Sequence, residues 1–262
     1  MYSSSVSSSP TAWLARSKDL ARSLAIWTGF AGVTVVAVPP MVIGYPLVLV
    51  DPNRAISDAY LRTLARVLVR LNPGWQVEVQ GLEHLDRGGP YVIVVNHQSL
   101  FDLMVTSFLH HPIKYLGKRA VFDVPVFGWA LRIAGEVPVE RGDRASGSRA
   151  LGELRRWLQR GVSVCLFPEG TRSVDGKVAP FKLGAFRLAV ETRCPILPVV
   201  ISGARDLLPK HSVVFQRHAE ITMRVLPPVP TVRLDASEVP ALAERVRSQM
   251  IDALTELEER AP

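Results

Sequence analysis

The sequence predicts an α/β protein: a mixed, mainly parallel sheet flanked by helices, with an N-terminal membrane-associated helical segment. Three observations lead there. From about residue 75 onward, short apolar runs alternate with helix-like stretches. Several of those runs are continuous rather than alternating, as expected of strands covered on both faces. Before them, Leu24 to Val50 runs for 27 residues without a charge.

Residues 1–23 form a Ser-rich tail, and its first dozen residues are expected to be disordered. Residues 24–72 are expected to hold a membrane-associated helical hairpin and an amphipathic helix. A spanning helix needs about 20 apolar residues. Pro39-Pro40 divides the uncharged run into two pieces, neither long enough to span alone, and two prolines remove two backbone donors. Arg16, Lys18 and Arg22 precede the run and Arg54, Arg62, Arg66 and Arg70 follow it. Basic flanks tend to stay cytoplasmic, so cations on both sides favour a hairpin that dips into one leaflet. A kinked single span and a buried core hairpin are the alternatives. The run is too long and starts too late for a signal peptide.

Ser57 to Leu71 reads as the amphipathic helix, with Tyr60, Leu61, Leu64, Leu68 and Leu71 on one stripe. Arg62, Arg66 and Arg70 recur every four residues, as a ridge facing anionic headgroups or as an ordinary solvated face. Asn72-Pro73-Gly74 breaks the helix. Residues 73–262 then read as one domain. Strands are expected at 76–80, 91–95, 113–116, 162–167, 196–201 and 221–225. Helices are expected at 99–109, 125–133, 149–160, 181–192 and 237–259.

The chain has 262 residues and a formal net charge of +7, and 48% of its residues are hydrophobic. Such a balance favours polyanionic partners: nucleic acid, anionic membrane or phosphorylated ligands. No zinc-finger spacing, Cys-His cluster or RNP motif occurs, which weakens the nucleic-acid option. Cys165 and Cys194 read as core thiols of a reducing compartment.

Two motifs carry chemistry. Asn96-His97-Gln98-Ser99-Leu100-Phe101-Asp102 follows an apolar strand, at the strand end where α/β folds place ligands. Within one helix, five residues rotate by about 500°, so His97 and Asp102 would diverge. They meet only if His97 precedes the helix and Asp102 lies in its first turn. Ser99 fits the N-cap, with Asp102 at the third helical position. The plain alternative is a capping box alone. In the chemical reading, neutral His97 takes a proton from an attacking hydroxyl, while Asp102 fixes the tautomer and stabilises the imidazolium. No G-x-S-x-G elbow is present, so direct transfer to the hydroxyl is favoured over a serine acyl-enzyme. Cys165 sits mid-strand, a poor place for a nucleophile. The second motif, Phe167-Pro168-Glu169-Gly170-Thr171-Arg172-Ser173, offers a glycine turn and a guanidinium fork suited to phosphate. Glu169 either orients Arg172 or accepts from a substrate hydroxyl. An ordinary turn closed by a Glu–Arg pair is the alternative.

Two further blocks stand in order with these. Lys118-Arg119, Val124-Pro125-x2-Gly128-Trp129 and Gly135-Glu136-Val137-Pro138-Val139-Glu140-Arg141 make one; Pro195-Ile196-Leu197-Pro198-Val199 makes the other. Four ordered blocks over about residues 75–205, together with Phe181-Lys182-x-Gly184-Ala185-Phe186, resemble the glycerolipid acyltransferase family, of the 1-acyl-sn-glycerol-3-phosphate acyltransferase type. Pro138 interrupts an element that is usually apolar. The resemblance implies the acyltransferase fold for residues 73–262, His97 as base and Asp102 as its partner. It implies Arg141, Glu169, Gly170, Thr171, Arg172 and Lys118 around a phosphorylated acceptor, with no metal and no cofactor. The co-substrate would be acyl-CoA or acyl-carrier protein. The acceptor would be a lysophospholipid, foremost 1-acyl-sn-glycerol-3-phosphate giving phosphatidic acid. A lyso-ornithine lipid, glycerol 3-phosphate or another lysophospholipid is the alternative, as is a non-enzymatic membrane-binding protein or an esterase using water. The implied location is the cytoplasmic face of the inner or plasma membrane.

Overall fold

A computed structural model describes residues 10–46, 50–85 and 89–260. In chain order the helices are α1 (Pro10–Ile43), α2 (Ala55–Arg70), α3 (Asp102–Val105), α4 (Arg119–Phe122), α5 (Phe127–Ala134), α6 (Arg144–Gln159), α7 (Gly184–Thr192), α8 (Ala204–Leu207) and α9 (Val239–Glu259). The strands are β1 (Trp75–Gln80), β2 (Val92–Val95), β3 (Ile113–Lys118), β4 (Val137–Val139), β5 (Ser163–Leu166), β6 (Ile196–Ser202) and β7 (Ala219–Val225).

Among the described residues these strands form one sheet in the order β1-β7-β6-β2-β5-β3-β4. Every neighbouring pair is parallel except β6 with β7. The expected mixed, mainly parallel sheet is therefore present. β2 lies at its centre, and all four residues Val92 to Val95 are fully buried. A strand covered on both faces has no polar side to alternate with, and each buried Val or Ile contributes about 1.5–3 kcal/mol. Val92 and Val94 join one core with α6, α7 and α9. Ile93 and Val95 join the other, beneath α1, α2 and α3.

β4 was not among the expected strands, and Pro138 stands in its middle. It is the edge strand, where a missing donor can face outward. The hairpin expected within the uncharged run does not form. α1 is one helix that continues through Pro39-Pro40 to Ile43. Its last turn survives because Val38 and Met41 pack on Ala130 and Ile133 of α5, and the Tyr60 hydroxyl donates to Ala37 O at 3.0 Å. Helix also begins inside the stretch read as tail, at Pro10; residues 1–9 lie outside the described residues.

α1 is docked on the domain by its middle. Trp27 and Phe30 join Trp75, Phe101 and Phe215 in an aromatic cluster with ring centroids 5.0–6.4 Å apart. Trp27 Nε1 donates to Val213 O at 2.8 Å, Arg22 Nη2 to Phe215 O at 2.5 Å, and Phe215 N to Ser23 Oγ at 3.0 Å. Elsewhere α1 exposes Leu24, Val35, Val36 and Ile43. Ser17–Ile43 is long and apolar enough to cross a membrane.

The arginine ridge on α2 faces the domain instead of headgroups. Arg62 is buried, donating to Asp58 Oδ1 at 3.0 Å, Ile113 O at 2.7 Å and Glu136 Oε1 at 2.7 Å. Its guanidinium lies 4.1 Å from the Tyr115 ring centroid. Burial works against its charge, but Tyr115, Glu136 and Asp58 outweigh this and raise its pKa. Arg66 donates to Ser107 O at 2.7 Å, and Arg70 lies over Phe108. Lys114, also buried, donates to Ala134 O at 2.8 Å and stands 3.6 Å from Asp58. Two cations and two carboxylates thus offset one another in the interior.

Candidate active site

The carboxyl ends of β2, β5, β3 and β4 lie side by side in that order. They deliver, in turn, His97, the 169–172 turn, Lys118 and the residues leading to Arg141. Strands stand about 4.8 Å apart, so β2 and β4 are separated by roughly 14 Å.

His97 and Asp102 meet as their spacing requires. His97 Nδ1 lies 2.7 Å from Asp102 Oδ2. The same oxygen accepts from Gln98 N at 2.8 Å and Ser99 N at 2.9 Å. An acceptor already receiving two N–H groups fixes the proton on Nδ1 and leaves Nε2 as the basic nitrogen. Asp102 is fully buried, and the His97 side chain is 9% exposed. One detail differs from the expected geometry: the helix begins at Asp102, and Ser99 is not its cap. Instead Ser99 Oγ accepts from Phe101 N at 3.3 Å and donates to Leu208 O at 3.1 Å. The return half of a capping box, Ser99 N to Asp102, is nevertheless present. One oxygen of Asp102 therefore both holds the loop before the helix and orients His97.

Phe167 stacks on the imidazole with centroids 4.2 Å apart. Val94 pairs with Leu166, so the residues that follow leave the sheet together. Glu169 is committed to the backbone. Its Oε1 accepts from His97 N at 2.7 Å and its Oε2 from Ala179 N at 3.1 Å. It does not pair with Arg172, one of the two roles expected of it, and each oxygen keeps a lone pair beyond the amide it accepts. Burial raises its pKa, and the two amides resist that rise. Ser173 N donates to His97 O at 2.7 Å, so the second motif grips the first from both sides.

Gly170 adopts φ +73°, a left-handed conformation that favours glycine. Arg172 is half-buried, and its carbonyl accepts from Lys210 Nζ at 2.7 Å. Thr171, Lys118 and Arg141 are exposed. Among the described residues, Arg172, Lys118 and Arg141 take part in no ion pair. The structure thus brings His97, Asp102, Glu169 and the 170–172 turn together, and sets Lys118 apart at the end of β3 and Arg141 two residues past β4.

Sequence reasoning passed over Asn96, Phe167 and Lys182. Asn96 Nδ2 donates to Ile201 O at 2.9 Å and its Oδ1 accepts from Ile201 N at 2.8 Å, tying the end of β2 to β6. A polar residue closing a fully apolar strand was the available signal. Cys165 is buried between the sheet's neighbours and burial raises its thiol pKa. No group of three or more metal-ligating side chains occurs among the described residues.

A family model described as Acyltransferase matches residues 76–202. A chloroplastic 1-acyl-sn-glycerol-3-phosphate acyltransferase of Brassica napus is 32% identical over 86% of this chain and 64% of its own length. The alpha 1-acyl-sn-glycerol-3-phosphate acyltransferase of Homo sapiens is 35% identical over 78% of this chain and 73% of its own. This chain therefore spans a little under two thirds of the Brassica relative. The crystal structure of the 1-acyl-sn-glycerophosphate acyltransferase of Thermotoga maritima superposes with a TM-score of 0.78 at 25% identity, covering 93% of this chain and 99% of that one.

Proposed function

This chain belongs to the acyltransferase family, and from that premise we propose that it moves a fatty acyl group from a thioester to the hydroxyl of a lysophospholipid. The preferred acceptor is 1-acyl-sn-glycerol-3-phosphate and the product phosphatidic acid, as the names of its relatives imply. The donor is acyl-CoA or acyl-carrier protein. One observation carries the reading: a histidine at the mouth of the sheet with Nδ1 bound to a fully buried carboxylate at 2.7 Å.

His97 Nε2 removes the proton of the acceptor hydroxyl as its oxygen attacks the thioester carbonyl. Asp102 stabilises the imidazolium so formed. Collapse of the tetrahedral intermediate breaks the carbon–sulfur bond, and the proton passes to the departing thiolate, whose ordinary pKa of about 8.5 makes it a good leaving group. Direct transfer with both substrates bound at once is favoured, since the sequence has no G-x-S-x-G elbow and Cys165 is buried in the middle of β5. Gly170, Thr171 and Arg172 receive the acceptor phosphate, with Lys118 and Arg141 adding positive charge further along the same edge. Glu169 acts through the backbone, holding His97 in place.

The exposed apolar residues of α1 support attachment to a membrane, and the basic residues before them favour a site on the cytoplasmic face. The test is a screen of phosphorylated and unphosphorylated lysolipids against one labelled thioester, with wild type and His97→Ala. Transfer by wild type alone is expected. Full activity in His97→Ala, or no transfer with any pair, overturns the proposal. Arg172→Ala is expected to raise the KM for the acceptor more than that for the thioester; equal losses argue against a phosphate role.

A further inference from the structure

Lys182 lies outside every role assigned so far. Its amide donates to Pro168 O at 2.8 Å, which pins this segment against the 167–172 turn. Its side chain lies across the bare face of Gly170. A Cβ added there would stand 2.5 Å from Lys182 Nζ, 2.8 Å from Cε and 3.2 Å from Cδ. The glycine thus serves two purposes, the left-handed φ and the close passage of a lysine.

An exposed lysine ordinarily extends into water or finds a carboxylate. Lys182 is exposed, yet its stem lies along Gly170 and its ammonium joins no ion pair among the described residues. The nearest carboxylate in the turn, Glu169, has both oxygens occupied by backbone amides. No ion pair among the described residues includes Lys182, and none includes Arg172, two residues beyond Gly170. Lys182 Nζ beside Gly170 and Arg172 two residues further on bring two cations to the same turn, and a phosphate dianion there would be attracted by both. Arg172 offers a planar fork and Lys182 a point charge, which suit different oxygens of one phosphate.

We propose that Lys182 is a further acceptor-binding residue, whose ammonium meets the phosphate of the lysolipid opposite Arg172. This rests on the phosphorylated-acceptor reading above. The test uses the full chain in detergent micelles, with lysophosphatidate and labelled acyl-CoA. Lys182→Met keeps the aliphatic stem over Gly170 and removes the charge; Lys182→Arg keeps the charge. Losing one charge-assisted contact predicts a rise of about tenfold in the KM for lysophosphatidate. The kcat and the KM for acyl-CoA stay within about twofold. Lys182→Arg recovers most of the loss. An unchanged lysophosphatidate KM in Lys182→Met, or equal losses for both substrates, overturns the inference and leaves the parent reading standing. No transfer by wild type overturns both.

Discussion

Replacing Asp102 by asparagine removes one charge and turns Oδ1, buried without a hydrogen-bond partner, into an amide NH2. Oδ2 holds three donors, at 2.7 Å from His97 and 2.8 and 2.9 Å from two amides. An asparagine carbonyl still accepts from Gln98 N and Ser99 N, so the loop keeps its shape. What disappears is the anion beside the imidazolium. Two unit charges about 2.7 Å apart at an effective dielectric of about 20 interact by roughly 6 kcal/mol. Each 1.36 kcal/mol of barrier is about tenfold in rate, so the ceiling is about four powers of ten. Part of the charge is transferred only late in the transition state, and we expect kcat to fall by about 10³ with the acceptor KM changed less than about threefold. The assay is transfer of labelled acyl groups to lysophosphatidate, with thermal unfolding followed on the same samples. A variant with unchanged Tm and kcat within tenfold of wild type refutes the assigned role of Asp102.

Three other outcomes follow from the structure. Arg62→Met leaves Glu136 and Asp58 buried without their guanidinium and should cost about 3–5 kcal/mol in urea unfolding; its recovery on anionic vesicles should stay unchanged, since Arg62 does not face them. Replacing Val35, Val36 and Ile43 together by serine should weaken vesicle binding without lowering Tm, whereas deleting residues 1–50 exposes Trp75, Phe101 and Phe215 and should lower it. Cys165 keeps its proton in the folded state because burial raises its pKa, while the unfolded thiol ionises near about pH 8.5. Its contribution is complete below that pH and declines above it, so wild type should lose stability relative to Cys165→Ala by about 1.4 kcal/mol per pH unit from there upward. Parallel stability curves for the two proteins up to pH 10 contradict the assignment.

Much of the domain was legible because burial on both faces leaves a plain mark in sequence. Val92 to Val95 and Ile196 to Ile201 have no polar side, and both are central strands. His97 and Asp102 were legible because helix geometry permits their meeting in only one way. The missed elements share a different cause, local chemistry overruled by tertiary packing. Pro138 argued against a strand, yet an edge has no need of its donor. Pro39-Pro40 argued for a break, yet α5 holds the turn beyond them. The period of Arg62, Arg66 and Arg70 marks a shared face without saying whether that face meets lipid or protein; Glu136, 74 residues from Arg62, decides it. The two backbone amides that Glu169 accepts, from His97 and Ala179, were not legible, because side-chain chemistry is visible in sequence and long-range backbone donors are not.

The segment from Leu208 to Phe215 touches both ends of the molecule. Leu208 receives Ser99, Lys210 holds the carbonyl of Arg172, and Val213 and Phe215 are gripped by Trp27, Arg22 and Ser23 of α1. The long apolar helix is consequently a buttress of the domain rather than a leash. Anyone seeking a water-soluble version would have to repaint the outward side of that helix and keep its inward side, because trimming it away removes the brace behind the segment that holds Ser99 and Arg172.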